Sequence, residues 1–268
     1  MKCAPESGGD ACLNSKPSLS LCGCLVHVPG SRLEQFLRYP EVNLVEWRLD
    51  SFINMSSLTE TMDLLPLLSD FARHPVLVTN RPVNEGGAFA GSEEARIQVL
   101  QQGIAAGAEW VDIEASAGPF ALERVRPGRA RIVLSHHDFS GTADAPSLRR
   151  LAKKMAENRP DIIKIICYAK APEDNLRVLE LIPFGRDELG IDVIAFCMGP
   201  LGGWSRLACL FLGSPWTYVQ FAGLAPSAPG QYTAEEMRQL FNLGRWERYP
   251  ARNDELSVTN PVWYKDQN

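Results

Sequence analysis

A lysine inside an apolar segment is the first residue of this sequence that could do chemistry. Lys164 stands in the segment DIIKIIC (161–167), whose β-branched residues predict a buried strand. A charged ammonium costs several kcal/mol to remove from water without a partner, so a lysine buried in this way tends to become a neutral amine. A neutral amine is a nucleophile that can form a Schiff base with a ketone. Alone, the pattern fits equally a lysine at a strand end whose side chain reaches water.

A pair of histidines supplies a candidate acid and base. His136 and His137 end the predicted strand ARIVLSHHDF (130–139), and they are half of the four histidines in the chain. Because adjacent strand residues face opposite sides, at most one of the two can point into the interior of the fold. A histidine at a strand end can act as a general acid or base, and a lysine on the next strand favours that role over a structural one.

Charged residues alternate along the second predicted strand, NLVEWRLD (43–50). Glu46, Arg48 and Asp50 share one face, while apolar residues occupy the other. The apolar face should pack under helices, which predicts that the charges point inward. Glu46 and Arg48 could form a structural ion pair, but buried ion pairs stabilise poorly, which favours a functional role.

More polar residues follow the later strands. Arg81 ends the third strand, and its loop contains Glu85 and two glycines. The seventh strand leads into a glycine-rich loop (198–203), whose backbone N–H groups could bind an anion at the start of a helix. Arg206 follows in the first turn of that helix and could hold a carboxylate with its planar fork of donors. After the eighth strand, the loop 227–231 offers hydroxyl and amide donors.

The elements that position these residues alternate between strand and helix. Eight strand–helix repeats predict an α/β fold, a single-domain (β/α)8 TIM barrel over residues 21–243, with the site at the carboxyl ends of the strands. An open doubly wound sheet would show a GxGxxG motif after the first strand, and none is present. We expect residues 1–20 to form a flexible segment and residues 244–268 a C-terminal extension. The strands are predicted at 21–28, 43–50, 75–80, 109–115, 130–139, 161–168, 191–199 and 216–223, and the helices at 32–38, 58–72, 92–106, 119–125, 147–158, 172–182, 204–212 and 233–243.

Composition and charge exclude several classes of protein. The chain has 268 residues, of which 45% are hydrophobic and 22% charged, as in ordinary globular proteins. A net charge of −5 argues against general nucleic-acid binding, and no apolar stretch approaches the roughly 18 residues that span a bilayer. The seven cysteines lack a CxxC pair, which argues against a metal site. Their odd number fits reduced thiols in the cytoplasm.

The motifs taken together, in this order, resemble the type I 3-dehydroquinate dehydratases of the shikimate pathway. No single motif would identify that family, but the set is quite specific and extends over residues 44–231, almost the whole predicted barrel. The stretches that carry the resemblance are EWRLD, TNRPVNEGG, LSHHDF, DIIKI, MGPLGGWSR and SAPGQ.

The resemblance implies a reaction and a role for each site residue. Lys164 would form an imine with the ring ketone of 3-dehydroquinate, and His137, oriented by Glu85, would remove a proton and then protonate the departing hydroxyl. The product would be 3-dehydroshikimate, formed by syn elimination without a metal or organic cofactor, in a homodimer. Arg206 would hold the substrate carboxylate. The remaining implied substrate-binding residues are Glu46, Arg48, Arg81, Ser227 and Gln231, with Met198 and Phe139 packing on the ring.

Two other functions remain open from the residues alone. A class I aldolase acting on a phosphorylated ketose also forms a Schiff base in a barrel, and the glycine-rich loop could hold its phosphate. The inward pair Glu46 and Arg48, together with Glu85, suits a hydroxylated carboxylate ring better. A catalytically idle barrel that only binds a partner should lack the complete set of lysine, histidine and arginine.

Overall fold

The computed structural model describes residues 19–55, 57–67 and 72–243. Its eight strands are all parallel and follow the order β7-β6-β5-β4-β3-β2-β1-β8. Within these described ranges no ladder joins β7 to β8, so the sheet forms a nearly closed barrel and the predicted fold class is confirmed. The strands are β1 (Leu21–Leu25), β2 (Leu44–Arg48), β3 (Val76–Thr79), β4 (Trp110–Glu114), β5 (Arg131–Asp138), β6 (Ile162–Tyr168), β7 (Asp192–Met198) and β8 (Thr217–Gln220).

Helices cover the outside of the barrel, and some of them begin at polar caps. Ser92 accepts a hydrogen bond from the backbone N–H of Ala95, and Asp144 accepts one from Ser147, so each satisfies an otherwise free amide in the first turn. The α-helices are α1 (Leu33–Leu37), α2 (Leu49–Met55), α3 (Leu58–Leu64), α4 (Glu93–Ala105), α5 (Gly118–Val125), α6 (Ala145–Ala156), α7 (Asp174–Leu179), α8 (Leu181–Phe184), α9 (Ser205–Phe211) and α10 (Ala234–Leu243).

The second strand ends earlier than predicted. β2 stops at Arg48, and Leu49 begins helix α2, so Asp50 lies in a helical first turn and not on the strand. Leu49 and Phe52 are buried one turn apart, a helical spacing that the charge alternation concealed in the sequence. The prediction that Asp50 shares an inward strand face with Glu46 and Arg48 is therefore wrong.

Two predicted helices are interrupted. The helix predicted at 172–182 begins at Asp174, is interrupted after Leu179 and continues to Phe184, because Pro183 has no N–H to donate to the preceding turn. In the helix predicted at 58–72, α3 ends at Leu64, a turn follows at Leu65 and Pro66, and Leu67 is helical again; residues 68–71 lie outside the described part of the chain. Most of the predicted flexible segment and the whole C-terminal extension also lie outside it.

Strands β1, β3 and β4 are buried at every position, as a parallel sheet covered by helices on its outer face requires. The described cysteines belong to this core: Cys22, Cys24, Cys167, Cys197 and Cys209 are all buried and free. Across the described ranges, no helix combines the length and apolarity needed to cross a membrane, and no three metal-ligating side chains cluster together.

Candidate active site

A cavity at the carboxyl ends of the strands gathers the predicted site residues. It encloses about 480 Å³ of empty space. A larger cavity of about 1540 Å³ opens at the amino ends of β4 and β5 and contains none of them, so position and not size identifies the site. The lining residues are Glu46, Arg48, Arg81, Glu85, Gly86, His137, Phe139, Lys164, Ile166, Phe196, Met198, Arg206, Tyr218, Ser227 and Ala228.

Lys164 projects from β6 into this cavity and has a carboxylate partner. Its Nζ atom donates to Asp112 Oδ2 on β4 at 3.0 Å, and only 4% of the residue is exposed. The same nitrogen lies 4.2 Å from the centroid of the Tyr218 ring. The sequence predicts a lysine without a partner, whereas in the structure Asp112 compensates an ammonium at this depth.

His137 lines the cavity, whereas His136 does not. Its Nδ1 atom lies 3.2 Å from Glu85 Oε2, and Ser116 donates to the other oxygen of Glu85 at 2.6 Å. Burial, reinforced by the positive charges of Arg81 and Lys164, holds the pKa of His137 well below its usual value of 6.5. His137 is therefore neutral at neutral pH, and we assign the Nδ1 proton to the bond with Glu85, which leaves Nε2 free to accept a proton.

Arg81 is the centre of a buried ion-pair network under the cavity. Its guanidinium approaches Asp112 Oδ1 at 2.9 Å and Glu114 Oε1 at 2.5 Å, and it donates to Ser135 Oγ at 2.7 Å. Glu114 in turn lies 2.5 Å from Arg96, which extends from helix α4. Most of the donors of Arg81 are committed to the protein, so this network positions the floor of the site.

Arg206 is as buried as Arg81 but, in the part of the chain that the structure describes, lacks the carboxylate partners that Arg81 has. It is 1% exposed, and among the described residues no carboxylate pairs with it. Its guanidinium donates to the Pro229 carbonyl oxygen at 3.3 Å and lies 4.6 Å from the Phe196 ring centroid, while Nε has no partner within the described chain. Burial lowers the pKa of Arg206 to about 10. An anion entering the cavity would compensate this charge.

Glu46 and Arg48 both line the cavity but do not pair with each other. Arg48 makes a two-pronged ion pair with Asp50 at 2.8 and 2.7 Å, and Asp50 also accepts from the backbone N–H groups of Arg81 and Ala88. Glu46 accepts from Thr79 Oγ1 at 2.8 Å, and no ion pair in the described residues involves it. The structural Glu46–Arg48 pair considered from the sequence is absent from these residues, and Glu46 is left available to hydroxyl groups.

Gln231 differs from the other predicted site residues because it does not line the cavity. Its Oε1 accepts from both the backbone N–H and the hydroxyl of Ser227, at 2.8 and 3.0 Å, and its Nε2 donates to Cys24 Sγ at 3.3 Å. The side chain therefore shapes the loop that presents Ser227 and does not face the cavity.

The glycine-rich loop after β7 does not direct all its amides at the cavity. Gly199 donates to the Pro229 carbonyl and Gly202 to the Gly199 carbonyl, so two of the expected anion donors are already occupied. Gly202 is packed so closely that an added Cβ would lie 2.5 Å from the carbonyl oxygen of Met198. The loop serves to bring the chain back tightly and to place Arg206.

Sequence reasoning missed Asp112, Phe196 and Tyr218. Asp112 and Glu114 alternate on β4 in the segment EWVDIEA (109–115), just as the charges do on β2, so the same period-two argument would have found Asp112. Phe196 and Tyr218 carry no such mark, because an inward aromatic residue on a strand cannot be told from core until its neighbours are known.

Comparison with known proteins gives one consistent family. The model of type I 3-dehydroquinase matches residues 31–245. The 3-dehydroquinate dehydratase of Syntrophobacter fumaroxidans is 47% identical over 223 residues, which are 83% of this chain and 95% of that protein. The corresponding protein of Thermococcus gammatolerans is 37% identical over 207 residues, which are 76% of this chain and 89% of that protein.

A solved structure agrees with this assignment. The crystal structure of 3-dehydroquinate dehydratase from Geobacillus kaustophilus matches with a TM-score of 0.76 at 27% identity, and the match covers 84% of this chain and 91% of that one. The family model and the sequence relatives each extend over most of the barrel that holds the site. The chain belongs to the type I 3-dehydroquinase family.

Proposed function

We propose that the chain converts 3-dehydroquinate to 3-dehydroshikimate by eliminating water through a Schiff base on Lys164. The observation that carries the proposal is the meeting of three groups in one cavity: a buried lysine, a neutral histidine and an arginine without a carboxylate partner. They match the needs of a substrate that contains a ketone, an adjacent C–H bond and a carboxylate. The dehydratase name of the relatives favours this function over a Schiff-base aldolase.

Substrate binding begins with the carboxylate. Arg206 offers a buried guanidinium with an unpartnered Nε, and a charge-assisted pair there would place the ring in a fixed orientation. Ser227 offers a hydroxyl, Glu46 a carboxylate and Arg48 a guanidinium for the ring hydroxyls. Met198 and Phe139 supply apolar contacts to the ring. Binding energy from these groups holds the ketone against Lys164.

The imine forms when the Nζ electron pair of Lys164 attacks the ketone carbon. The carbonyl oxygen leaves as water, and the nitrogen keeps one proton as a cationic iminium. That positive charge draws electrons from the neighbouring C–H bond and makes its proton removable. The ammonium first gives one proton to the adjoining polar network or to water; that proton and one from the amine nitrogen then leave with the carbonyl oxygen as water.

His137 then carries one proton through the elimination. Its free Nε2 accepts the proton from the activated carbon, and the C–H electron pair moves into the iminium to give an enamine. The enamine expels the hydroxyl group, which takes the proton from His137 and leaves as water. Glu85, 3.2 Å from Nδ1, holds the imidazole in place while its charge changes. Addition of water to the conjugated iminium releases the product and restores Lys164.

A combined assay tests the proposed function. Purified protein is mixed with 3-dehydroquinate, and formation of the conjugated enone is followed in the ultraviolet. A second sample is treated with borohydride, and the labelled peptide is mapped by mass spectrometry. We expect enone formation and one reduced adduct on Lys164. Turnover without an adduct on Lys164 would disprove the mechanism, and absence of turnover would disprove the function.

We also propose that the protein is a homodimer in the cytoplasm. The dimer is implied by the family resemblance, and light scattering after size-exclusion chromatography would test it by giving a mass near twice that of the chain. The compartment is supported by the five buried, unpaired cysteines of the described chain, which fit a reducing environment. Cell fractionation with a specific antibody tests it, and recovery from the medium or a membrane fraction would contradict it.

A further inference from the structure

Asp112 touches the reacting nitrogen, yet the steps above give it no role. Its Oδ2 atom accepts a hydrogen bond from Lys164 Nζ at 3.0 Å. Its Oδ1 atom accepts from Ser135 Oγ at 2.5 Å and lies 2.9 Å from the Arg81 guanidinium. Two donors therefore fix one oxygen and leave the other directed at the lysine.

The strands keep this arrangement rigid. β4 and β6 both border β5, where Ser135 is in register with Lys164 on one side and with Glu114 on the other. Asp112 is completely buried, as are Ser135 and nearly all of Lys164. Groups built on strands are held more precisely than groups on loops. The carboxylate oxygen and Nζ therefore keep their separation while substrate enters.

The electrostatics keep Asp112 ionised. Burial alone would raise the pKa of Asp112, but the positive charges of Arg81 and Lys164 hold that pKa well below its usual range. Water does not reach the carboxylate, so its charge acts on Nζ with little screening. A fixed anion is consequently present at the atom where the reaction creates a cation.

We propose that Asp112 is the counter-ion of the imine on Lys164, an inference that rests on the function proposed above. Before the reaction, Asp112 holds Nζ at the edge of the cavity. After the ketone has reacted, it pairs with the iminium N–H and stabilises the charge that draws electrons from the neighbouring carbon. The face of the Tyr218 ring, 4.2 Å from Nζ, supports the same charge.

The substitution Asp112→Asn tests this role, because it removes the charge and keeps the shape. We expect kcat to fall about 100-fold or more, as for loss of one preorganised electrostatic group. KM should change less than about threefold, because the carboxylate contacts of Arg206 are untouched. The fraction of Lys164 trapped by borohydride in the presence of 3-dehydroquinate should fall with kcat.

Glu114→Gln is the matched control. Glu114 is an equally buried carboxylate on the same strand and pairs with the same Arg81, but in the described part of the chain no hydrogen bond or ion pair joins it to Lys164. We expect its kcat and trapped fraction to fall less than about tenfold, since its ion pairs are with Arg81 and Arg96 and not with the reacting lysine. Equal losses of kcat and trapping in both variants would overturn the inference, because the effect would then come from the shared arginine.

A milder variant covers the case in which Asp112→Asn fails to fold. Ser135→Ala removes only the hydroxyl that holds Oδ1, and we expect kcat to fall about three- to tenfold at unchanged KM. Wild-type kcat in this variant, or in a folded Asp112→Asn protein, would overturn the inference. The wild-type protein separates the two claims: if it neither turns over 3-dehydroquinate nor traps an adduct on Lys164, the proposed function itself fails.

Discussion

On the side of the cavity formed by β3, β4 and β5, Arg81 is tied to two carboxylates and a hydroxyl. On the side formed by β7 and β8, Arg206 is just as buried but meets an aromatic ring and a backbone carbonyl. The first arrangement is complete without a ligand. The second leaves a desolvated cation that only a bound anion would neutralise. We therefore propose that the two arginines at one barrel mouth have different uses, Arg81 a mainly structural one and Arg206 the binding of an anion.

The largest effect should be a loss of stability when the ion-pair network of Arg81 is broken. Arg81→Met leaves Asp112 and Glu114 buried with one cation fewer, and removing one partner of a buried ion pair destabilises by about 3–5 kcal/mol. Urea unfolding at pH 7 measures the loss. Arg149→Met is the control, because Arg149 forms an exposed ion pair with Glu180 at 3.6 Å and should lose less than about 1 kcal/mol. Similar losses in the two variants would contradict the comparison.

The next largest effect should be a loss of substrate affinity when Arg206 is replaced. Arg206→Met removes a buried cation that has no carboxylate partner, so the free energy of unfolding should not decrease. KM for 3-dehydroquinate should rise about 100-fold, since a charge-assisted pair with the carboxylate is lost. Steady-state kinetics and urea unfolding on the same preparation check both results. A large loss of stability with unchanged KM would show that Arg206 is structural after all.

The dependence of kcat/KM on pH follows from the charges that surround His137. Because burial and the charges of Arg81 and Lys164 lower the pKa of His137 below 6.5, the imidazole remains an acceptor throughout the neutral range. We expect kcat/KM to change less than about twofold between pH 6.5 and 8 from this group, and to fall only at lower pH. An acid limb centred above pH 6.5 in the rate profile would contradict this assignment.

The free energy of unfolding should also decrease as the pH falls below 6.5. The unfolded chain binds a proton at His137 near pH 6.5, whereas the folded chain does not, so the unfolded state gains protons first as the pH falls. The contribution of His137 to stability is therefore complete above pH 6.5 and decreases below it. Replacing the histidine by glutamine should make unfolding less sensitive to pH between 6.5 and 5. An unchanged dependence would show that other groups control it.

Replacing Gln231 should affect activity less than replacing Arg206 does. Its hydrogen bonds hold the Ser227 loop and Cys24, not the cavity, and each such bond contributes about 0.5–1.5 kcal/mol. We expect Gln231→Ala to lower kcat/KM about three- to tenfold, well below the effect of Arg206→Met. A loss as large as that of the arginine variant would mean that Gln231 contacts the substrate directly.

The barrel was predictable because its strands are short, mainly apolar segments and a helical segment separates each strand from the next. The site was largely predictable for the same reason: once strand ends are located, a polar residue at such an end must lie at the barrel mouth. Position along the chain was enough to bring Lys164, Arg206 and one histidine of the pair together, and the family resemblance then selected His137. It did not require knowledge of any side-chain contact.

Which side chains contact each other was not predictable in the same way. A strand position says which way Lys164 points, but not that Asp112 on β4, two strands away, reaches its nitrogen across Ser135. Likewise, the alternation on β2 could not show that the chain turns helical at Leu49 and draws Asp50 back onto Arg48. Contacts of this kind depend on side-chain lengths and on local turns, which hydrophobic periodicity does not record.

The buried cysteines of the core can report which part of the barrel opens first during unfolding. Burial raises the pKa of Cys24 to about 12 and that of Cys197 and Cys209 to about 11, so almost no reactive thiolate exists in the closed barrel at neutral pH. These thiols lie on three different elements, β1, β7 and α9, on either side of the gap between β7 and β8. A thiol reagent can then label each one only when its own stretch of wall opens. The order of labelling would reveal whether the unpaired edge between β7 and β8 is where the barrel first separates.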